Sequence, residues 1–181
     1  MHDTHEPRVR LRDVTLDDAD MLDTWAADPE LVGGFNDFGI PRVPVDRGAL
    51  LLGPMRSERN GQLIVEVIDG TRPIGTVSWH RVGYGPAGES DAWNIGIELI
   101  ADARGHGHGV EAQALVARYL FEHTLANRVE AQTDIDNIAE QRALDKAGFT
   151  REGIARGSQF RAGAYHDLVT YSVLRGDLER D

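Results

Sequence analysis

Apolar and polar positions along the chain switch between two periods, and the switches divide it into elements. Val9-Arg10-Leu11-Arg12 alternates and predicts a first strand. Ala19, Leu22, Trp25 and Ala26 then recur on one helical face. Thr15 stands before them as N-cap, with Asp17-Asp18 in the first turn, where the helix dipole favours acids. Asp28-Pro29 ends that helix or starts another short one. Residues 31–46, rich in Gly and Pro, read as a loop, and residues 47–59 as a second helix weakened by Gly53-Pro54. Residues 62–68 and 73–80 read as strands joined at the hairpin signal Asp69-Gly70. A glycine-rich loop over 83–91 leads into the apolar run 95–100, another strand. Residues 110–125 carry Ala112, Leu115, Val116, Tyr119 and Leu120 on one broad helical face. Residues 128–133 are a strand, and Asn137 caps a helix that runs to Lys146 and is closed by Gly148. Residues 151–156 and 167–174 form a final pair of strands.

That order predicts an α/β (mixed α+β) fold, a central sheet with helices packed on its faces. At 181 residues the chain is expected to be one domain over 8–181 behind a flexible tail, 1–7. There is no cysteine, which removes disulfides, thiolate ligands and a cysteine nucleophile and suits a reducing cytoplasm. No apolar run approaches the roughly 18–20 residues needed to cross a membrane, and the N-terminus has no signal-peptide core. With 19 Lys plus Arg against 30 Asp plus Glu, the net charge is −11. Such a surface repels nucleic acid and anionic lipid and favours a cationic partner such as an amine.

The most informative stretch is Arg104-Gly105-His106-Gly107-His108-Gly109, between the run 95–100 and a helix starting near Val110. Strand, glycine loop and helix N-terminus together make an anion site. The first helical amides lack partners, the dipole favours negative charge, and glycine lets the backbone approach closely. No Gly-Lys-Ser/Thr follows, so this is not a P-loop, and the glycine spacing does not fit the dinucleotide fingerprint. His106 and His108 have no third ligand nearby, so no metal is expected.

Arg104-x-x-Gly107-x-Gly109 resembles the acyl-CoA pyrophosphate loop of the GNAT family of N-acetyltransferases, and the wider segment resembles its RimJ/RimL branch. The likeness continues through Leu11-Arg12, Trp25-x-x-Asp28-Pro29, Asp136-Asn137, Lys146-Ala147-Gly148-Phe149 and Gly163-x-Tyr165-x-Asp167. It implies the GNAT sheet, mixed but mostly antiparallel with helices on both faces, and acetyl-CoA or another acyl-CoA as donor. The acceptor it implies is a small-molecule amine or a protein N-terminal amine, attacking directly in a ternary complex. The expected donor-binding residues are Leu99, Ile100, Arg104, Gly105, His106, Gly107, His108, Gly109, Val110 and Asn137. The central strand is expected to splay from its neighbour near Leu99-Ile100-Ala101, leaving backbone for the pantetheine arm. Phe35, Phe38, Trp79 and Glu98 are the expected acceptor-binding residues.

Glu98 is the first candidate for proton removal, since a carboxylate flanked by apolar residues would have a raised pKa. Tyr165 and His166, then His80 and Glu66, are the other candidates. One departure stands out. The resembled enzymes place a hydroxyl on the helix after the Asn to protonate the leaving sulfur, and Glu140 and Leu144 hold those positions here. A thiol pKa of about 8.5 makes the thiolate a fair leaving group unaided. The departure keeps open a non-catalytic acyl-CoA sensor, or an acyltransferase fed by a carrier protein. Exposed sheet edges admit a homodimer.

Overall fold

The computed structural model describes residues 7–177. Apart from Pro7, the expected tail lies outside the described residues. The strands are β1 (Val9–Asp13), β2 (Asn60–Val67), β3 (Arg72–Gly83), β4 (Asp91–Leu99), β5 (Arg128–Asp134), β6 (Thr150–Arg161) and β7 (Ala164–Leu174). The helices are α1 (Ala19–Ala26), α2 (Pro29–Asn36), α3 (Arg47–Leu52), α4 (His108–His123) and α5 (Ile138–Lys146). One seven-stranded sheet takes the order β1-β2-β3-β4-β5-β7-β6. Every pairing is antiparallel except β4 with β5, so the sheet is mixed and mostly antiparallel, as expected.

Successive residues of a strand point to opposite faces, and β2 shows both faces covered. Leu63 and Val65 join Val77, Ile95 and Val129 in a core with Ala112, Val116 and Leu120 of α4 and Leu144 of α5. Ile64, between them, faces the other way and meets Val14 and Leu22, with Trp25, Leu50 and Met55 around it. Thus α4 and α5 cover one face while α1 and α3 cover the other.

Several boundaries differ from the sequence reading, among them the start of β4, which lies at Asp91 rather than Ile95. Residues 31–46 are not all loop, because Asp28 caps Glu30 N and starts α2, which runs to Asn36 across a break at Gly33. The helix expected over 47–59 stops at Leu52, where Gly53 takes φ 152. The last two strands are longer than 151–156 and 167–174, because β6 and β7 continue as a hairpin that turns at Ala162-Gly163, both with positive φ. Ser158 and its neighbours carry a register shift between Ala155 and Gln159, which breaks the alternation by which strands are read.

Candidate active site

The site begins where the sheet opens. β4 pairs with β5 only from Trp93 to Ile95, against Val129 to Ala131. From Gly96 onward β4 keeps its ladder with β3, up to Leu99 opposite Gly75, but has no ladder with β5. The parting therefore starts earlier than Leu99-Ile100-Ala101, and the Ile100 amide donates to Ile74 O instead. The first turn of α5 stands at the mouth of this wedge.

Two cavities meet there, of about 820 and 480 Å3. Phe38, Arg42, Thr76, Ser78 and Gln132 line the larger; Phe35, Leu99 and the glycine loop line the smaller. Ile97, Glu98, Asn137 and Glu140 line both.

The loop under the smaller cavity has the geometry of an anion site. Gly105 and Gly107 sit at φ 78 and 81, in the left-handed region that favours glycine. Gly107 is the N-cap of α4, and the first helical bond runs from Glu111 N to Gly107 O. The amides of His108, Gly109 and Val110 are thus left without helical partners. Gly105, Gly107, Gly109 and Val110 face the cavity. The His106 and His108 side chains do not line it, and the His108 ring pairs through Nδ1 with Ala103 O.

Residues 8–150 match the acetyltransferase (GNAT) domain. This chain belongs to the GNAT acetyltransferase family. It is 25% identical to the uncharacterized N-acetyltransferase p20 of Bacillus licheniformis over 177 residues, 97% of each chain. The ribosomal-protein-S5-alanine acetyltransferase of Vibrio fischeri shares its fold, with a TM-score of 0.75 and 18% identity over 96% of each chain. The spermidine N-acetyltransferase of Vibrio cholerae, solved with CoA and spermine, also has a TM-score of 0.75, with 16% identity over 94% of this chain and 97% of that one.

Within this GNAT domain several side chains stand elsewhere than expected. Arg104 lines the smaller cavity, but its guanidinium donates to the carbonyls of Leu99, Glu30 and Leu31 at 2.7–3.1 Å. It clips α2 to the end of β4 rather than standing free for an anion. The cation over the loop is Arg8, which donates to His106 O at 2.7 Å and is held by Glu111. Glu98 is not surrounded by apolar groups, because Arg42 grips its carboxylate, with Nη1 to Oε2 at 2.8 Å. Trp79 is a core residue and lines neither cavity. Its indole lies 5.5 Å from Tyr119 and so close to Gly61 that a Cβ there would sit 2.2 Å away.

Tyr165 and His166 also lie off the cavities. Tyr165 is exposed against Phe160, and His166 joins Arg161, 3.4 Å from Asp134. Glu66 is buried between Arg10 and Arg12, and His80 points to solvent opposite Asn94. Asn137 does stand at the wedge, where its Oδ1 caps Glu140 N at 3.3 Å.

Four residues had no signal in the sequence reading: Arg8, Arg42, Gln113 and Arg161. Each acts through a partner distant in the chain, where spacing carries no information.

Proposed function

We propose that this GNAT domain moves the acetyl group of acetyl-CoA to a primary amine by direct attack in a ternary complex. The observation that carries this reading is the meeting of two cavities in the β4–β5 wedge, one floored by the glycine loop. The free amides at the start of α4 suit the pyrophosphate, with Arg8 beside them. The unpaired edge of β4 from Gly96 to Leu99 suits the amide-bearing pantetheine arm, in the manner of an added strand. The thioester then falls at the junction, between Glu98, Asn137 and Glu140.

The larger cavity is the acceptor side. Its wall mixes Asp37 and the Arg42–Glu98 pair with the exposed apolar side chains of Phe38 and Ile40. That lining suits a cation carried on a partly apolar body. The named relatives act on a ribosomal protein's alanine and on spermidine, so the RimJ/RimL likeness and the polyamine likeness both support an amine acceptor.

Thermal unfolding with and without acetyl-CoA tests the donor half. A ligand at about 100 times its dissociation constant adds about 2.7 kcal/mol. For a domain this size that raises the midpoint by roughly 5–10 °C. Thiol release with polyamines, aminoglycosides and peptides of free N-terminus tests the acceptor half. Acetyl-CoA that gives neither a shift nor thiol release with any amine overturns the reading.

A further inference from the structure

Glu140 occupies the point in the wedge where donor and acceptor sides join, lining both cavities from the first turn of α5. It is partly buried, and its backbone amide is fixed by Asn137. Facing it from α4 is Gln113, itself 1% exposed. Neither amide atom of Gln113 closes a hydrogen bond of ordinary geometry among the described residues. An orphaned buried amide is costly, and a small tightening toward Glu140 would satisfy it. Gln113 thus meets the Glu140 carboxyl from α4, while Glu140 itself lines both cavities of the wedge.

We propose that Glu140 donates the proton to the departing sulfur, in the position where a hydroxyl was expected. The inference rests on the acyl-transfer reading above. In the step, the amine nitrogen forms a bond to the thioester carbon and the carbon–sulfur bond breaks. The Glu140 carboxyl gives its proton to the thiolate, making the free thiol. The ammonium nitrogen sheds two protons on becoming the amide: one is released to solvent, and the other returns through solvent to restore the Glu140 carboxyl.

The electrostatics agree. Burial pushes the Glu140 carboxyl up to about 7, against a smaller lowering by Gln113. The charged groups on the same walls act little on it. Glu98 is paired with Arg42, and Arg104 is held on carbonyls. Arg142 and Lys146 lie farther along α5, and Asp37 lies on the wall of the larger cavity. A group with that value is about half protonated at pH 7 and mostly protonated below it, so a proton donor is present near neutrality.

Steady-state thiol release by Glu140→Gln, Glu140→Ala and Glu140→Ser decides the matter, with acetyl-CoA thermal shifts on each. The expected result is a loss of at least tenfold in kcat for Glu140→Gln, with KM for acetyl-CoA within threefold of the parent. Glu140→Ser should recover part of the kcat lost by Glu140→Ala, since it restores a hydroxyl. The parent kcat should fall above about pH 7, and that limb should vanish in Glu140→Gln. Full kcat with an unchanged pH profile in Glu140→Gln overturns the proposal while leaving the acyl-transfer reading intact. Failure of the parent itself to bind acetyl-CoA strikes the reading instead. A variant that does not unfold cooperatively is replaced by the parent profile, where a flat kcat from pH 6 to 9 overturns the proposal.

Discussion

The guanidinium of Arg42 holds the carboxylate of Glu98 where the two cavities meet. Their side chains are 33% and 25% exposed, so the pair adds on the order of 1 kcal/mol or less to stability. Its weight falls on the site. An incoming ammonium competes with Arg42 for the same oxygens. Arg42→Ala is therefore expected to lower KM for a cationic amine at least threefold while the acetyl-CoA shift stays unchanged. Glu98→Gln should lower kcat/KM for the amine at least tenfold, again with donor binding intact. Steady-state kinetics on both variants checks this, and a higher KM in Arg42→Ala refutes the competition.

Gly107 bears two demands at once. Its φ of 81 is a left-handed value, and a Cβ there would lie 2.8 Å from the Arg8 guanidinium. Any side chain costs roughly 1–2 kcal/mol in that backbone region and also displaces Arg8. Gly107→Ala is expected to weaken acetyl-CoA binding at least tenfold by calorimetry. Arg8→Ala should weaken it less and make the remaining affinity less sensitive to salt.

Arg161 and Asp134 form an ion pair at 2.5 Å with exposures of 5% and 3%. Burial raises the Asp134 carboxyl, but the Asp136 amide, Arg161 and His166 outweigh it, and the group ends below its ordinary value. Arg161 also donates to Phe35 O at 2.9 Å and lies over the Phe35 ring. It thus ties the β6–β7 hairpin to the wall of the smaller cavity. Arg161→Met leaves the buried carboxylate without its guanidinium partner, beside only the Asp136 amide and His166, and is expected to cost about 3–5 kcal/mol in urea unfolding. Adding Asp134→Asn should recover much of that loss.

Two carboxyls give opposite pH signatures. Asp18 is held at about 2, chiefly by its bond from Arg12, so its contribution is full above the unfolded value of 3.8 and fades as pH falls toward 2. Glu140, raised by burial from 4.5 to about 7, favours the folded state below pH 4.5, and that advantage is lost as pH rises to 7. Glu140→Gln removes the second effect. Relative to the parent it should gain up to about 3 kcal/mol on going from pH 5 to pH 8, read from urea midpoints. An equal difference at both pH values would mean that Glu140 is not buried in the folded state.

Local patterns reported local facts well. The order of strands and helices was legible because helical and strand periods are properties of neighbouring residues. The glycine loop was legible for the same reason: an αL glycine at the N-cap and the free amides after it lie within a few positions. Asn137 was legible as a cap because its bond reaches only three residues on. The far ends of β6 and β7 were not, because a register shift breaks the alternation.

What only the tertiary structure decided is which distant groups meet. Glu98 looked apolar-flanked in the chain, yet its partner Arg42 stands 56 positions away. Arg104 was expected among the donor-binding residues, yet α2 supplies carbonyls that hold its guanidinium, and Arg8 stands over the loop. Trp79 sits on a strand whose alternation names two faces without saying which one α4 will cover. The acidic residue found at the expected hydroxyl position gained a role only when folding set it against Gln113 and between two cavities. Period and propensity act over a few residues, so the sequence by itself determined the elements and the loop. Ion pairs, burial and the parting of β4 from β5 depend on packing across the whole sheet, and they exist only once the chain has closed on itself.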